Sequence, residues 1–380
     1  MQILLSDIII IINKMIKIFL KNLLLLITSL IVSVILIELI LYKIGIYNNL
    51  SRNKLVASDA IYERPASSIL NNLHPDLKII IRNQYDENGI RSYKNQNTAK
   101  LNNIIAFFGD SMTENINIKD ELVFINILND TYKKENIKFI NFGVGGYSID
   151  QVFIRYLKYK TLDIKDVYYV FCSNDNTNNG IINFNNKNEY FINKKEINYF
   201  FQLIGKLNIT YLMIDSFYHA RTIFSNKYSN IDKKNYSKIL ANKFNSIIYK
   251  NLNTKNYQEN EKIFFNKTLK AFQDEVLKDG RRFFIIILPS KIENESFTGL
   301  IIGDEKKYNI INLYKLSSKY DSKYNNLIFK NDTHYNEWGN LYIAGMLQKE
   351  FDKIYRLNTN LNKNFIIKKI NNLYRVKDVN

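Results

Sequence analysis

From Ile104 onward the chain repeats one pattern: a short run of aromatic and branched apolar residues, a break rich in glycine or Asx residues, then a longer helical stretch. The runs are Ile104 to Phe108 (IIAFF), Phe139 to Phe142 (FINF), Val167 to Phe171 (VYYVF) and Phe283 to Leu288 (FFIIIL), with a weaker fifth at Tyr308 to Leu313. A strand with one wet face alternates apolar and polar residues. These runs barely alternate, so both their faces must be covered by helices, and the fold class predicted is α/β with a mostly parallel, five-stranded sheet.

Composition narrows the function classes. With 3 Pro and 13 Gly against 27 Tyr and 24 Phe, the chain is neither collagen-like nor a linker, and it has ample material for a core. Its one cysteine, Cys172, excludes a disulfide framework and a thiolate metal cluster, and its 3 histidines (His74, His219, His334) are scattered, so neither a metal nor a cofactor is expected. The formal charge of +17 is spread along the chain. Heavy joint use of Lys, Asn, Ile, Tyr and Phe fits an AT-rich genome, and no nucleic-acid-binding motif accompanies it, so no nucleic-acid partner is expected.

Ahead of the α/β part, Leu23 to Tyr42 (LLLLITSLIVSVILIELILY) is a largely apolar run with one charge, Glu38. About 20 helical residues cross a hydrocarbon core of about 30 Å. The run exceeds a signal-peptide core and no small-x-small cleavage site follows it closely, so it reads as one transmembrane anchor. Lys14, Lys17 and Lys21 before it and Lys43, Arg52 and Lys54 after it leave its orientation unspecified by charge. The organisation expected is an N-terminal segment 1–47 with the anchor at about 22–42, a polar connector 48–100, an α/β domain 101–355 and a basic tail 356–380. Within the domain, 178–278 reads as a helical insertion, with a helix at about 236–252.

Chemistry-bearing residues gather where the strands end. The first run leads into Gly109-Asp110-Ser111-Met112-Thr113, which puts a serine at the carboxyl end of a parallel strand, where open α/β sheets bind ligands. Alone, such a segment is equally an ordinary helix cap. The second run ends in Gly143-Val144-Gly145-Gly146-Tyr147-Ser148, either a tight turn or a place where backbone N–H groups approach a ligand; the spacing is not that of a dinucleotide site. The third ends in Cys172-Ser173-Asn174-Asp175, an amide donor at the same edge or a plain Asx turn. Asn331-Asp332-Thr333-His334 then precedes a helix expected from about Glu337. A serine becomes nucleophilic beside a neutral imidazole, and His334 is the histidine with an acid at hand to fix its tautomer. His74 and His219 read as structural or surface residues.

These four segments, in order, resemble the SGNH (GDSL) hydrolase superfamily across about 103–353, much of the insertion excepted. The anchor, the connector and Asn88-Gly89-Ile90-Arg91 are similar to its membrane-anchored bacterial members. The resemblance implies a three-layer α/β/α sandwich of flavodoxin-like form, with Ser111 as nucleophile, His334 as general base and Asp332 orienting it. The oxyanion hole would be the Ser111 and Gly146 backbone N–H groups with the Asn174 side chain. Two features depart from the family pattern: Cys172 stands where block three opens with glycine, and the acid is spaced D-x-H instead of D-x-x-H. The latter resembles domains that act in polysaccharide O-acetylation. The function implied is a serine esterase for ester-linked acyl, above all acetyl, groups on envelope carbohydrate. An O-acyltransferase with the same triad and a catalytically silent scaffold are the alternatives. The location implied is the bacterial inner membrane, single-pass, with the catalytic domain periplasmic or extracytoplasmic.

Overall fold

The computed structural model describes residues 2–44, 56–57, 61–94, 101–135, 137–176, 181–185, 187–192, 196–197, 249–250, 261–301, 305–317 and 327–375. The chain divides into two units, Met1–Asn49 with Ile197–Ile248, and Leu50–Glu196 with Tyr249–Asn380.

Among the described residues of the first unit is one helix, α1, Gln2–Ile44. Its stretch Lys14–Ile37, 24 residues of mean hydropathy 2.4 with none buried inside the protein, is long and apolar enough to cross a membrane. The hydroxyls of Thr28, Ser29 and Ser33 donate to carbonyls of Leu25, Leu26 and Ser29 on the preceding turn, so they add no unpaired polar group to that surface.

The second unit is built on an eight-stranded sheet. Its strands are β1 (Ile69–Leu73), β2 (Ile80–Tyr85), β3 (Arg91–Ser92), β4 (Ile104–Gly109), β5 (Lys138–Asn141), β6 (Ile164–Phe171), β7 (Arg282–Ile287) and β8 (Asn309–Asn312). Their spatial order is β8-β7-β6-β4-β5-β3-β2-β1. From β5 to β8 all pairings are parallel, and these are the five strands expected from the sequence. Every residue of β4 is buried, as a central strand between two helical layers requires.

Among the described residues the α-helices of this unit are α2 (Ser111–Glu114), α3 (Phe124–Thr131), α4 (Ile149–Tyr159), α5 (Glu261–Lys278), α6 (Lys291–Leu300), α7 (Leu313–Ser317), α8 (Glu337–Tyr355) and α9 (Lys363–Arg375). Successive residues of β4 point to opposite faces. Phe108 joins a core with Phe153 and Tyr156 of α4, Phe272 of α5 and Phe297 of α6. Phe107 joins another with Phe124 of α3, Phe351 of α8 and Ile370 of α9. The outcome is a three-layer α/β/α sandwich.

The segment read as a connector contributes β1, β2 and β3, each antiparallel to its neighbour, with β3 joined to β5 through the pair Arg91↔Asn141. Its strands are hard to see in the sequence because their buried face mixes Leu70, Ile81 and Tyr85 with paired asparagines: Asn72 Nδ2 donates to Asn83 Oδ1 at 2.6 Å, and Asn83 donates to the Ile118 carbonyl. Most of the expected insertion, including nearly all of the helix anticipated at 236–252, lies outside the described residues; Tyr249–Lys250 is extended. At the insertion's far end α5 is a core helix of the sandwich, burying Phe264, Phe265, Leu269 and Phe272. The basic tail likewise begins with structure, since Ile366, Ile370 and Leu373 of α9 are buried.

Candidate active site

Ser111 is the first residue of α2, directly after β4. Asp110 caps that helix, its Oδ1 accepting the Met112 N–H at 2.8 Å. The turn is short, and Asn115 ends it in a left-handed conformation at φ 54°. Across the edge of the sheet, residues 327–336 form a tight hairpin: Phe329 N–H donates to the His334 carbonyl and Asn336 N–H to the Leu327 carbonyl. Asn336 then caps α8 by accepting the Gly339 N–H.

That hairpin delivers Asp332 and His334 to Ser111. His334 Nε2 lies 2.8 Å from Ser111 Oγ, and His334 Nδ1 is hydrogen-bonded to Asp332 Oδ1. Asp332 Oδ1 also accepts the His334 backbone N–H at 3.1 Å, while Oδ2 accepts Asn117 Nδ2 at 3.2 Å. Since the carboxylate can only accept, Nδ1 carries the proton and Nε2 is free to accept from the serine hydroxyl. Burial would raise the Asp332 carboxyl, but its hydrogen bond to His334 and the imidazole charge outweigh that and hold it below the usual carboxylate range. Burial likewise depresses His334, yet Asp332, Asp110 and Glu114 together raise it above the ordinary histidine value.

The remaining expected residues fall at the same edge. The Gly145-Gly146 turn follows β5, and a Cβ added to Gly145 would sit 3.6 Å from Ser111 Cβ. Gly146 is exposed with φ +82°, a conformation that suits glycine. Asn174 is exposed after β6, and its side chain hydrogen-bonds to the buried Asp110 carboxyl, next to the serine. Burial raises that carboxyl, and the bonds from Met112, Cys172 and Asn174 oppose the rise. Cys172, where glycine opens the motif this segment resembles, fits without breaking the turn: its N–H donates to Asp175 Oδ2 at 3.0 Å and its carbonyl accepts the Asp175 N–H. Burial holds its thiol well above the ordinary range, so it is not a thiolate.

Sequence reasoning missed the bracing around this site. His74 Nδ1 accepts the N–H groups of Asp76 and Leu77, so its proton is on Nε2, which donates to Glu337 Oε1 at 2.9 Å at the start of α8. The Asp76 carboxylate accepts the N–H groups of Lys330 and Asn331, just before Asp332. On the serine side, Glu114 accepts from Arg64 and Tyr85, and Arg91 donates to the Glu114 and Ile118 carbonyls and to Asp120. The Asn88-Gly89-Ile90-Arg91 motif was the visible signal. Its Arg91 is 4% exposed, a buried guanidinium that needs several acceptors and finds them around the serine helix.

Neither a family model nor a curated protein matches the sequence. Among solved structures the chain is similar to a member of the lipolytic protein G-D-S-L family from Veillonella parvula, at 13% identity over 65% of this chain and 96% of that one, with a TM-score of 0.36. It is also similar to the psychrotrophic esterase EstA from a Pseudoalteromonas species, at 12% identity over 67% and 100% with a TM-score of 0.37. A third likeness is to a lipase/acylhydrolase from Enterococcus faecalis, at 12% identity over 68% and 98% with a TM-score of 0.36. At such values the chemistry must be read from the site itself.

Proposed function

We propose that this protein is a membrane-anchored serine esterase of the SGNH type that removes ester-linked acyl groups, acetyl foremost, from envelope carbohydrate. The observation that carries this reading is the hydrogen-bonded row Ser111 Oγ, His334 Nε2, His334 Nδ1, Asp332 Oδ1. A hydroxyl, an imidazole and a carboxylate in that order are what nucleophilic catalysis requires, and core packing requires none of them.

In the proposed reaction His334 Nε2 takes the Ser111 proton as Oγ attacks the ester carbonyl. The Ser111 and Gly146 N–H groups and the Asn174 amide hold the oxyanion, one such donor being worth roughly 3 kcal/mol. The C–O bond breaks as His334 returns the proton to the leaving alcohol. Water, deprotonated by His334, then attacks the acyl-serine, releasing the acid and restoring Ser111. Asp332 stays ionised throughout and orients the ring, in keeping with its lowered pKa.

The D-x-H spacing favours a second reading, in which a sugar hydroxyl replaces water and the acyl group is transferred. The apolar helix supports anchoring, and the family resemblance supports an active domain on the periplasmic or extracytoplasmic side of a bacterial inner membrane. The test is acetate release by the full chain in detergent from acetyl esters and O-acetylated glycans, with Ser111→Ala as control. Release lost in the variant supports the esterase. Acyl-Ser111 that is discharged by a sugar and not by water supports transfer, and an unreactive Ser111 contradicts both.

A further inference from the structure

Glu114 lies on the same short helix as Ser111 and is completely buried, an expensive place for a carboxylate. Arg64 is buried beside it and grips it with two bonds, Nε to Oε1 at 2.6 Å and Nη2 to Oε2 at 2.8 Å. Tyr85 OH donates to Oε1 at 2.8 Å. The fourth bond goes to the backbone: Gly145 N–H donates to Oε2 at 2.6 Å. A buried ion pair is seldom more stabilising than an apolar pair of the same volume, so stability alone does not account for it.

We infer that Glu114, charged and held by Arg64, is a positioning residue that fixes the Gly145-Gly146 turn relative to Ser111 and so sets the oxyanion hole; the inference rests on the esterase reading. One rigid turn carries both the nucleophile and the carboxylate that ties down the glycine loop. The tie is short, and the loop is close enough that a Cβ on Gly145 would come within 3.2 Å of Glu114 Oε2. An ionised carboxylate is the group suited to the task, because it offers acceptors alone, to two sides at once. A glutamine would turn N–H donors toward either Gly145 or the Arg64–Tyr85 side. Burial raises the Glu114 carboxyl, but the Arg64 charge and the bonds it receives outweigh this and hold it low, in line with a fixed acceptor. Arg64 and Tyr85 come from the segment before the parallel sheet, so that segment is part of the catalytic apparatus.

The experiment compares the full chain in detergent with Glu114→Gln, and with Arg64→Met/Glu114→Gln, which leaves no buried cation unpaired. Readouts are thermal unfolding, kcat and KM on p-nitrophenyl acetate, and the rate of Ser111 labelling by a fluorophosphonate. The expected result is a kcat lowered about ten- to a hundredfold with KM within about twofold, and labelling slowed in proportion. The double variant should recover the wild-type melting temperature without recovering the rate. A folded variant with wild-type kcat and labelling overturns the role of Glu114 and leaves the esterase reading intact. A wild-type chain whose Ser111 does not label overturns both.

Discussion

Glu293, on α6 behind the Ser173 turn, provides a sharp test of the electrostatics under the site. It is 5% exposed; Oε1 accepts the Ser173 hydroxyl at 3.1 Å, and Oε2 has no hydrogen-bond partner among the described residues. Burial pushes its carboxyl up from 4.5 to about 7, Ser173 opposes the rise and the Asp110 charge adds to it. A group raised in the folded state contributes stability that is complete below its unfolded value and is lost as pH rises through the folded one. The window here runs from 4.5 to about 7. At about 1.4 kcal/mol per pH unit this amounts to about 3 kcal/mol, or roughly 5 °C in melting temperature for a domain of this size. Glu293→Gln keeps the shape and stays neutral, so its melting temperature should gain on that of the wild type as pH is raised across the window. Thermal unfolding of both proteins in detergent, followed by near-UV circular dichroism, reads the difference directly. A gap between them that is constant with pH would refute the reasoning.

Other predictions concern turnover. Asn174→Ala should lower kcat on p-nitrophenyl acetate on the order of a hundredfold or more with the fold intact; an unchanged rate removes it from the oxyanion hole. The proposed reaction needs His334 as a neutral base, and its pKa is raised, so kcat/KM should fall as pH drops through a midpoint above the ordinary histidine value. Asp332→Asn should lower kcat and shift that midpoint downward, and a pH–rate profile with an unmoved midpoint would separate Asp332 from His334.

How much of this was legible depends on which side chains carried it. The parallel strands announced themselves because burial on two faces leaves an uninterrupted apolar run, as in Ile104 to Phe108. The serine, the D-x-H pair and the Asn174 turn were visible because each ends such a run or opens a helix. β1 to β3 were not, since Asn72 and Asn83 satisfy each other inside and so break the apolar alternation. Glu114 stood in plain view three residues after Ser111, yet its partners Arg64 and Tyr85 are 50 and 29 residues away, a pairing that local pattern cannot disclose. His74 read as structural or surface; it is buried, and its bond to Glu337 spans 263 residues and required the fold.

The central claim is that Ser111 is an activated nucleophile. Incubating the full chain with a fluorophosphonate and mapping the adduct by peptide mass spectrometry, beside His334→Ala, tests it most directly. The account predicts one phosphonyl group on Ser111 and a labelling rate that collapses without His334. Labelling that is absent, that falls on another residue, or that proceeds equally fast in His334→Ala would contradict it.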